Sequence, residues 1–473
     1  MTEVGLGLVP LLALIGSVIL TASLFSGIVE RTGFPQVAFF LLLGLLLGPH
    51  ALGIIDLPLH SPTLEVISTL ALLLVLFTDA VSLDVAGARR SVRIAAILLG
   101  PGTLLAALIN TVAARFLLDW SWPNAAIIGA ALASTDPVLL RSVLRHPGLP
   151  RPVRSALRIE AGMNDALLLP IVVLAIIALG TVAGTDINRR LLGLFLLGPV
   201  LGLFCGWLAI RLLMLVRTRW SVRRDYESLY ALGIALTAYT LAEAVGGSGY
   251  LAAFAAGLII ALMDVELCDC FHDYGEATAE MMLLLTFVAF GASLIWFRLD
   301  VLTAGTVIFV VIALLSRSAV LAPSLAGSAL SPTERRLLVW LGPRGLSSLL
   351  LVMLAVMADV ERADQMFAIA SVAVLASLVL HGGSILWLTQ KRFGAPAADR
   401  VSGQPGAGVT VEQLNEWRVS SKPHVLVDAR AERSWETDRR IADDAVRLNP
   451  DEPLRSAREL GLSHHATLVV YCA

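Results

Sequence analysis

Two short polar clusters interrupt stretches that otherwise read as lipid-soluble. Ser134-Thr135-Asp136-Pro137 lies between IIGAALA and VLL, and Glu160-Ala161-Gly162-Met163-Asn164-Asp165 runs straight into ALLLPIVVLAIIALG. An ionised side chain at the bilayer centre costs roughly 2.5–3.5 kcal/mol on the insertion scale. Asp136, Glu160 and Asp165 together therefore set about ten kcal/mol against insertion. Such a cost is sustained where the groups pair with one another, face water or bind a cation. The chemistry open to them is competition: a buried carboxylate holds a proton or a metal ion, but not both comfortably.

The neighbouring residues sharpen that reading. Pro137 removes a backbone donor and disfavours helix in the residue before it, so the helix is expected to open at Asp136. Gly342-Pro343-Arg344-Gly345 makes a comparable interruption between LLVWL and LSSLLL. Opened helices expose carbonyls and half-helix ends, from which secondary transporters build ion sites near the midplane. One interruption in each half of the chain points to inverted repeats. The alternative is a pair of proline kinks with no ion role.

Glu160 and Asn164 share a helix face, whereas Asp165 lies about 140° round from Glu160. One carboxylate can then face an ion path while the other faces a neighbouring helix. Arg317, in LLSRSAVLAP, is the cation available to Glu160. A paired Glu160 would be structural and a lone Asp165 would titrate, because burial raises a carboxylate pKa and a nearby cation lowers it. The competing reading is a purely structural salt-bridge net. Arg344 stands near the crossing as a fixed positive charge, or as a partner for Asp136.

These residues need spans to hold them, and composition supplies them. The chain is 57% hydrophobic and 15% charged, with a mean hydropathy of +0.80. Soluble domains carry about a quarter charged residues, and a span needs roughly 20 apolar ones. About thirteen candidate spans precede residue 390. They run at 5–29, 34–54, 62–83, 91–118, 122–144, 157–184, 190–216, 227–245, 249–263, 279–297, 301–322, 334–357 and 364–388. The fold expected for residues 1–390 is thus an all-α polytopic membrane domain with inverted repeats and two interrupted helices. The start, MTEVGLGLVP, has no basic n-region, so no cleaved signal peptide is expected.

Arginines mark one face. Arg89, Arg90 and Arg93 follow the third span; Arg145, Arg151, Arg154 and Arg158 the fifth; Arg217, Arg219, Arg223 and Arg224 the seventh. Arg335 and Arg336 precede the twelfth, and Arg189 and Arg190 are the exception. The positive-inside rule makes that face cytoplasmic, with the amino terminus outside and the tail inside. A net charge of −2 and the lack of a basic arm give no sign of nucleic acid. No cofactor and no resident metal are called for. Cys268, Cys270 and His272, in a connection between spans nine and ten, are too tightly spaced for a usual structural zinc site and read as free cysteines.

At these residues the sequence resembles the monovalent cation/proton antiporters, closest to the sodium/proton exchangers of the NhaP type. The Thr-Asp-Pro break, the Glu-x-x-x-Asn-Asp segment, the arginine of span eleven and the Gly-x-Arg-Gly of span twelve follow the family's order. The resemblance covers residues 1 to about 390. It implies a homodimer of the bacterial inner membrane in which a core bundle moves past a fixed one. It implies Asp165 as the ion- and proton-carrying carboxylate, with Thr135, Asp136 and Asn164 around it and Glu160–Arg317 as a stabilising pair. Asn-Asp, where other branches have Asp-Asp, implies electroneutral exchange. Two departures bear on selectivity. Ala161 stands where relatives commonly have serine, and Phe77-Thr78-Asp79 where they often have Phe-Glu, so Asp79 would be turned by about 100°. Sodium, potassium and lithium are the candidate cations.

Residues 391–408 are rich in Gly, Ala and Pro and read as a linker. Residues 409–473 read as a small α/β tail that resembles part of a rhodanese-like domain. Asp428 and Arg430 would belong to its Asp-x-Arg strand end and Cys472 would be its nucleophile. The Gly-His-Ile signature is absent, with Arg440-Ile441-Ala442 nearest to it, and the sequence ends one residue after Cys472, so a working sulfurtransferase is not expected. A membrane-tethered sulfur-transfer or redox-sensing protein is the rival reading, although an anchor needs neither interrupted spans nor buried carboxylates. An ion channel is a third reading, disfavoured because no selectivity-filter pattern is present.

Overall fold

Helices of the apolar region start where a hydroxyl side chain can replace the missing helical acceptor. Ser61, Ser121, Ser248, Thr303 and Ser331 each accept a hydrogen bond from a backbone N–H of the following first turn. Pro62 and Pro332 follow directly with their φ preset for helix, and Glu334 completes a capping box with Ser331.

The structure is a computed structural model. It describes residues 15–21, 24, 36–49, 51–83, 92–145, 148–180, 187–220, 224–263, 269–293, 301–328, 330–387, 409, 411–420, 424–430, 441–448, 456–457, 459–462 and 467–471. The chain divides into two units, Met1–Phe393 and Gly394–Ala473.

The first unit is helical. Its helices are α1 (Gln36–Leu47), α2 (Pro62–Val81), α3 (Arg93–Leu117), α4 (Trp122–Ala131), α5 (Pro137–Arg145), α6 (Arg151–Ala178) and α7 (Ile187–Arg217). They continue with α8 (Arg224–Ala244), α9 (Gly249–Leu262), α10 (Asp269–Ala292), α11 (Ala304–Ser324), α12 (Pro332–Trp340), α13 (Leu346–Met357) and α14 (Ala363–Ile385). Among the described residues six helices are long and apolar enough to cross a membrane, namely α2, α3, α6, α7, α11 and α14. With the shorter apolar helices between them they make a multi-pass membrane unit.

Two of the expected spans are each built from two short helices. The fifth is α4 and α5, separated at 132–136, and the twelfth is α12 and α13, separated at 341–345. The sixth span differs from its expected limits of 157–184. Helix α6 begins at Arg151, where Pro150 and Pro152 set its start, and ends at Ala178. The connection carrying Cys270 and His272 is also different: it is already helical from Asp269, because no proline interrupts the run to Ala292. Cys268 and the side chains of Cys270 and His272 lie outside the described residues.

Glycines bring helices close where apolar burial cannot drive association within lipid. Gly198, Gly202 and Gly206 of α7 face Ser248, Ala252 and Ala256 at the start of and along α9. A Cβ at Gly202 would collide with the Ala252 carbonyl oxygen, and at Gly206 it would lie 2.6 Å from that of Ala256. Helix α6 is the hub of the other half and packs against α2, α4, α12 and α13.

In the second unit, α15 (Val411–Val419) precedes three short strands, β1 (Val425–Asp428), β2 (Ala445–Arg447) and β3 (Leu468–Tyr471). They form a parallel sheet of order β2-β1-β3. Asp428 is buried at the end of β1, and Arg430 donates to it at 2.7 Å and holds its carboxyl below the ordinary carboxylate range. Residues 391–408 and Cys472 lie outside the described residues.

Substituting Gly202 by valine should lower stability by about 1–3 kcal/mol through overpacking against Ala252. Gly233 of α8 has open space where a Cβ would go, so Gly233→Ala should be neutral or slightly stabilising. Thermal unfolding of the two detergent-solubilised variants checks this, and equal midpoints would mean that the α7–α9 approach is not tight.

Candidate functional site

Breaking a helix inside lipid leaves two sets of backbone groups without partners, amides on one half and carbonyls on the other. Both interruptions lie side by side, joined by a 2.9 Å hydrogen bond from Asp136 N–H to the Pro343 carbonyl. Charged side chains then complete the ends. Asp136 accepts from Val138 N–H at 2.8 Å and from Leu346 N–H at 3.0 Å, so one carboxylate caps the amino-terminal ends of both α5 and α13. Negative charge is favoured at these positive helix ends.

The carbonyl ends are met by guanidinium groups. Arg344, fully buried in the second interruption, donates to the carbonyls of Ala133 (2.6 Å) and Ser134 (3.0 Å), just beyond α4, and to Ala313 of α11 (3.2 Å). Arg317 of α11 donates to Leu338 (3.0 Å) and Val339 (3.3 Å), in the last turn of α12. Its other donors form a two-pronged pair with Glu160, Nε to Oε1 and Nη2 to Oε2, each at 2.6 Å. Arg317 is 2% exposed and Glu160 1%, so this pair is a desolvated one.

Glycine is required at both flanks of the second interruption. A Cβ at Gly345 would collide with the Asp136 carboxylate, and one at Gly342 would lie 2.6 Å from Arg317 Nη1. The sequence read these glycines as part of a helix break. The structure adds that each makes room for a charged group from another helix.

Asp165 is arranged differently from Glu160. It lies buried on the side of α6 that faces the first interruption, where the Ser134 hydroxyl donates to its Oδ1 and Ser347 of α13 also faces it. Among the described residues no donor reaches Asp165 Oδ2. Asn164 donates from Nδ2 to the Thr135 carbonyl (3.1 Å) and hydroxyl (2.7 Å), and its Oδ1 is likewise buried without a donor. A carboxylate, an amide oxygen and hydroxyls form a hard oxygen-donor set, suited to a hard cation or a proton.

The structure therefore brings Thr135, Asp136, Asn164 and Asp165 together, with Glu160, Arg317 and Arg344 holding the helix ends around them. Asp79 stands half-buried near the end of α2, where its backbone oxygen would lie 3.3 Å from a Cβ at Gly162. Ser134 entered the sequence reading only as part of the first polar cluster and was not assigned to the site, and Ser347, just beyond Gly345, was not singled out. A serine in an apolar helix is too common to mark a site alone.

Removing either Glu160 or Arg317 should destabilise the protein by about 3–5 kcal/mol, because the partner remains buried and uncompensated. Replacing both with leucine should recover much of that loss. Thermal unfolding of wild type, Glu160→Leu, Arg317→Leu and the double variant measures the coupling, and strictly additive losses would mean that the two side chains act independently.

Comparisons with known proteins fit this geometry. A K(+)/H(+) antiporter NhaP2 of Shewanella sp. strain ANA-3 is 28% identical over 385 residues, covering 79% of this chain and 65% of the relative. The Na(+)/H(+) antiporter NhaG of Bacillus atrophaeus is 26% identical over 363 residues, 72% of this chain and 68% of the relative. The chain thus spans about 65% of the length of the potassium-named relatives. The fold matches that of the sodium proton antiporter MjNhaP1 from Methanocaldococcus jannaschii with a TM-score of 0.64, at 22% identity and over 80% of this chain and 98% of that one. Residues 18–391 match the transmembrane sodium/hydrogen exchanger family, and the chain belongs to that family.

Proposed function

We propose that the protein is a secondary active transporter that exchanges a monovalent cation for a proton by alternating access, and is not an enzyme. The observation that carries the reading is the pair of buried acceptors without donors, Asp165 Oδ2 and Asn164 Oδ1, beside two interrupted helices. Either a proton on Asp165 or a cation shared among Asp165, Asn164 and the nearby hydroxyls satisfies them. The two states exclude each other, and this exclusion couples the fluxes. Glu160 is held by Arg317 and Asp136 by helix ends, so Asp165 is the acid left to exchange.

Relatives named for potassium and for sodium make both ions candidates, with lithium a third. Asp79 is a further candidate at the approach to the site. The cytoplasmic face is the one rich in arginine, which puts the amino terminus outside and the tail inside a bacterial inner membrane. A homodimer is the proposed assembly, on the resemblance to the NhaP type. The short parallel sheet with Asp428 and Arg430 at a strand end supports a partial rhodanese-like tail over 409–473, to which no sulfur-transfer step is assigned.

The test is purified protein in liposomes carrying a pH dye, with sodium, potassium or lithium added in turn. Cation-dependent proton movement is expected with at least one ion, and none with any of the three would refute exchange. Asp165→Asn should abolish it while folding and insertion persist; near wild-type rates would move the carrier to Asp136 or Asp79.

Asn164 is neutral, so one carboxylate should trade one cation for one proton with no net charge moved. A membrane potential acts with about 2.3 kcal/mol per charge per 100 mV, and here it should leave the rate unchanged. Imposing an ionophore-set diffusion potential, with an ion that is not the substrate, checks this. Rates that scale with voltage would mean a second charge is carried.

A further inference from the structure

Among the described residues, His381 is a buried titratable side chain to which the transport reading gives no role. His381 lies in a π-helical turn, Leu378–Gly382, near the end of α14, and is 2% exposed. Such turns are rare and often lie at functional positions. Its Nδ1 is 3.1 Å from the hydroxyl of Ser377, one turn earlier, and that hydroxyl accepts from the backbone N–H of Arg344 at 2.7 Å. Arg344 is the residue that caps α4 and Ser377 is fully buried, so this chain of hydrogen bonds runs from α14 into the second interruption.

We propose that Ser377 and His381 form a positioning relay for the second interruption, and that a proton taken up by His381 releases it. This inference rests on the transport reading. The hydroxyl of Ser377 accepts from Arg344 N–H with one lone pair, which leaves its proton available to an unprotonated Nδ1 of neutral His381. Protonation of Nδ1 turns both neighbours of the hydroxyl into donors, and the hydroxyl proton must leave the relay. The new cation would also stand among like charges.

Among the described residues no carboxylate pairs with His381. Arg344 from the interruption and Arg317 from α11 both act on it electrostatically, and Glu160, which also acts on Arg344, is taken up by Arg317. From α12 the Trp340 ring lies 5.3 Å away, and its Nε1 donates to Ser384 Oγ at 2.8 Å, which donates in turn to the His381 carbonyl at 2.8 Å. The imidazole thus packs against the Trp340 ring, and hydrogen bonds through Ser384 tie the His381 backbone to α12. Proton uptake here opposes the packing of α13 and α14 that holds Arg344 at the helix ends.

His381→Asn separates the two parts of the proposal. Its Oδ1 replaces Nδ1 as an acceptor for Ser377 but cannot take up a proton. In liposomes with equal pH on both faces, exchange should be followed from about pH 8.5 down to about 4, a range that runs from neutral imidazole to well below the ordinary imidazole midpoint. The wild type should lose rate with the steepness of two protons, one on Asp165 and one on His381, and His381→Asn with that of one. Ser377→Ala should be about tenfold slower at the alkaline end, where the wild-type relay is intact, and should approach the wild type at the acid end, and Ser377→Thr should restore the rate. Superimposable pH profiles for wild type and His381→Asn, or an unaltered alkaline rate in Ser377→Ala, would overturn the relay. Thermal unfolding against pH provides a readout that needs no transport: acidification should lower the wild-type midpoint more than that of His381→Asn, and equal shifts would also overturn it. A wild type that exchanges no cation refutes the transport reading instead, and the unfolding comparison still decides the relay.

Discussion

Everything around the site depends on completing four helix ends where water cannot do so. Each interrupted span exposes amides on one half and carbonyls on the other, and in hydrocarbon an unpartnered backbone group costs several kcal/mol. Asp136 serves both amide ends, Arg344 serves the carbonyls beyond α4 and Arg317 those of α12. Because Asp136 and Arg344 each leave one interruption to cap the other, the two breaks cannot be displaced separately. The crossing is a single unit, cross-linked by charge-assisted hydrogen bonds.

That arrangement also decides which acids are free. Three carboxylates lie buried close to one another, yet only one keeps an oxygen without a donor among the described residues. Glu160 has both oxygens on Arg317, and Asp136 has each oxygen on a backbone amide. Asp165 has the Ser134 hydroxyl on one oxygen and Ser347 facing it, and among the described residues no donor reaches its other oxygen. The division of labour between a structural pair and an exchanging acid thus follows from counting acceptors and donors. Close glycine contacts make it geometrically feasible, since Gly342 and Gly345 admit Arg317 and Asp136 where any side chain would obstruct them.

The two halves of the membrane unit are held by different means. Around α7 and α9, small residues let backbones touch over several turns, with little polar chemistry. Around α6, polar and charged side chains tie together α4, α5, α11, α12 and α13. The first kind of packing tolerates lipid on its outer face, where Phe195, Leu196, Val200 and Phe204 are exposed. The second kind excludes both lipid and water, which is what gives a buried carboxylate its leverage over a cation.

Much of this was legible from residue types alone. Apolar length announced the spans, Asp136-Pro137 and Gly342–Gly345 announced the two interruptions, and the 140° offset between Glu160 and Asp165 separated their directions on α6. These are local facts, set by proline's missing donor, by helix periodicity and by the cost of charge in lipid. What faces those residues was not local. That Asp136 caps α13, that Arg344 reaches α4, that Ser134 and Ser347 meet Asp165 and that Ser377 links His381 to Arg344 all join residues from separate helices. No spacing rule carries such a partner choice, because it depends on how two broken helices cross. Helix ends at 151 and 269 were misjudged for a related reason: hydropathy tracks lipid, whereas a helix continues into polar sequence until a proline or cap ends it. Sequence determined which groups had to be compensated, and tertiary structure decided by what, since only packing brings a distant donor within 3 Å.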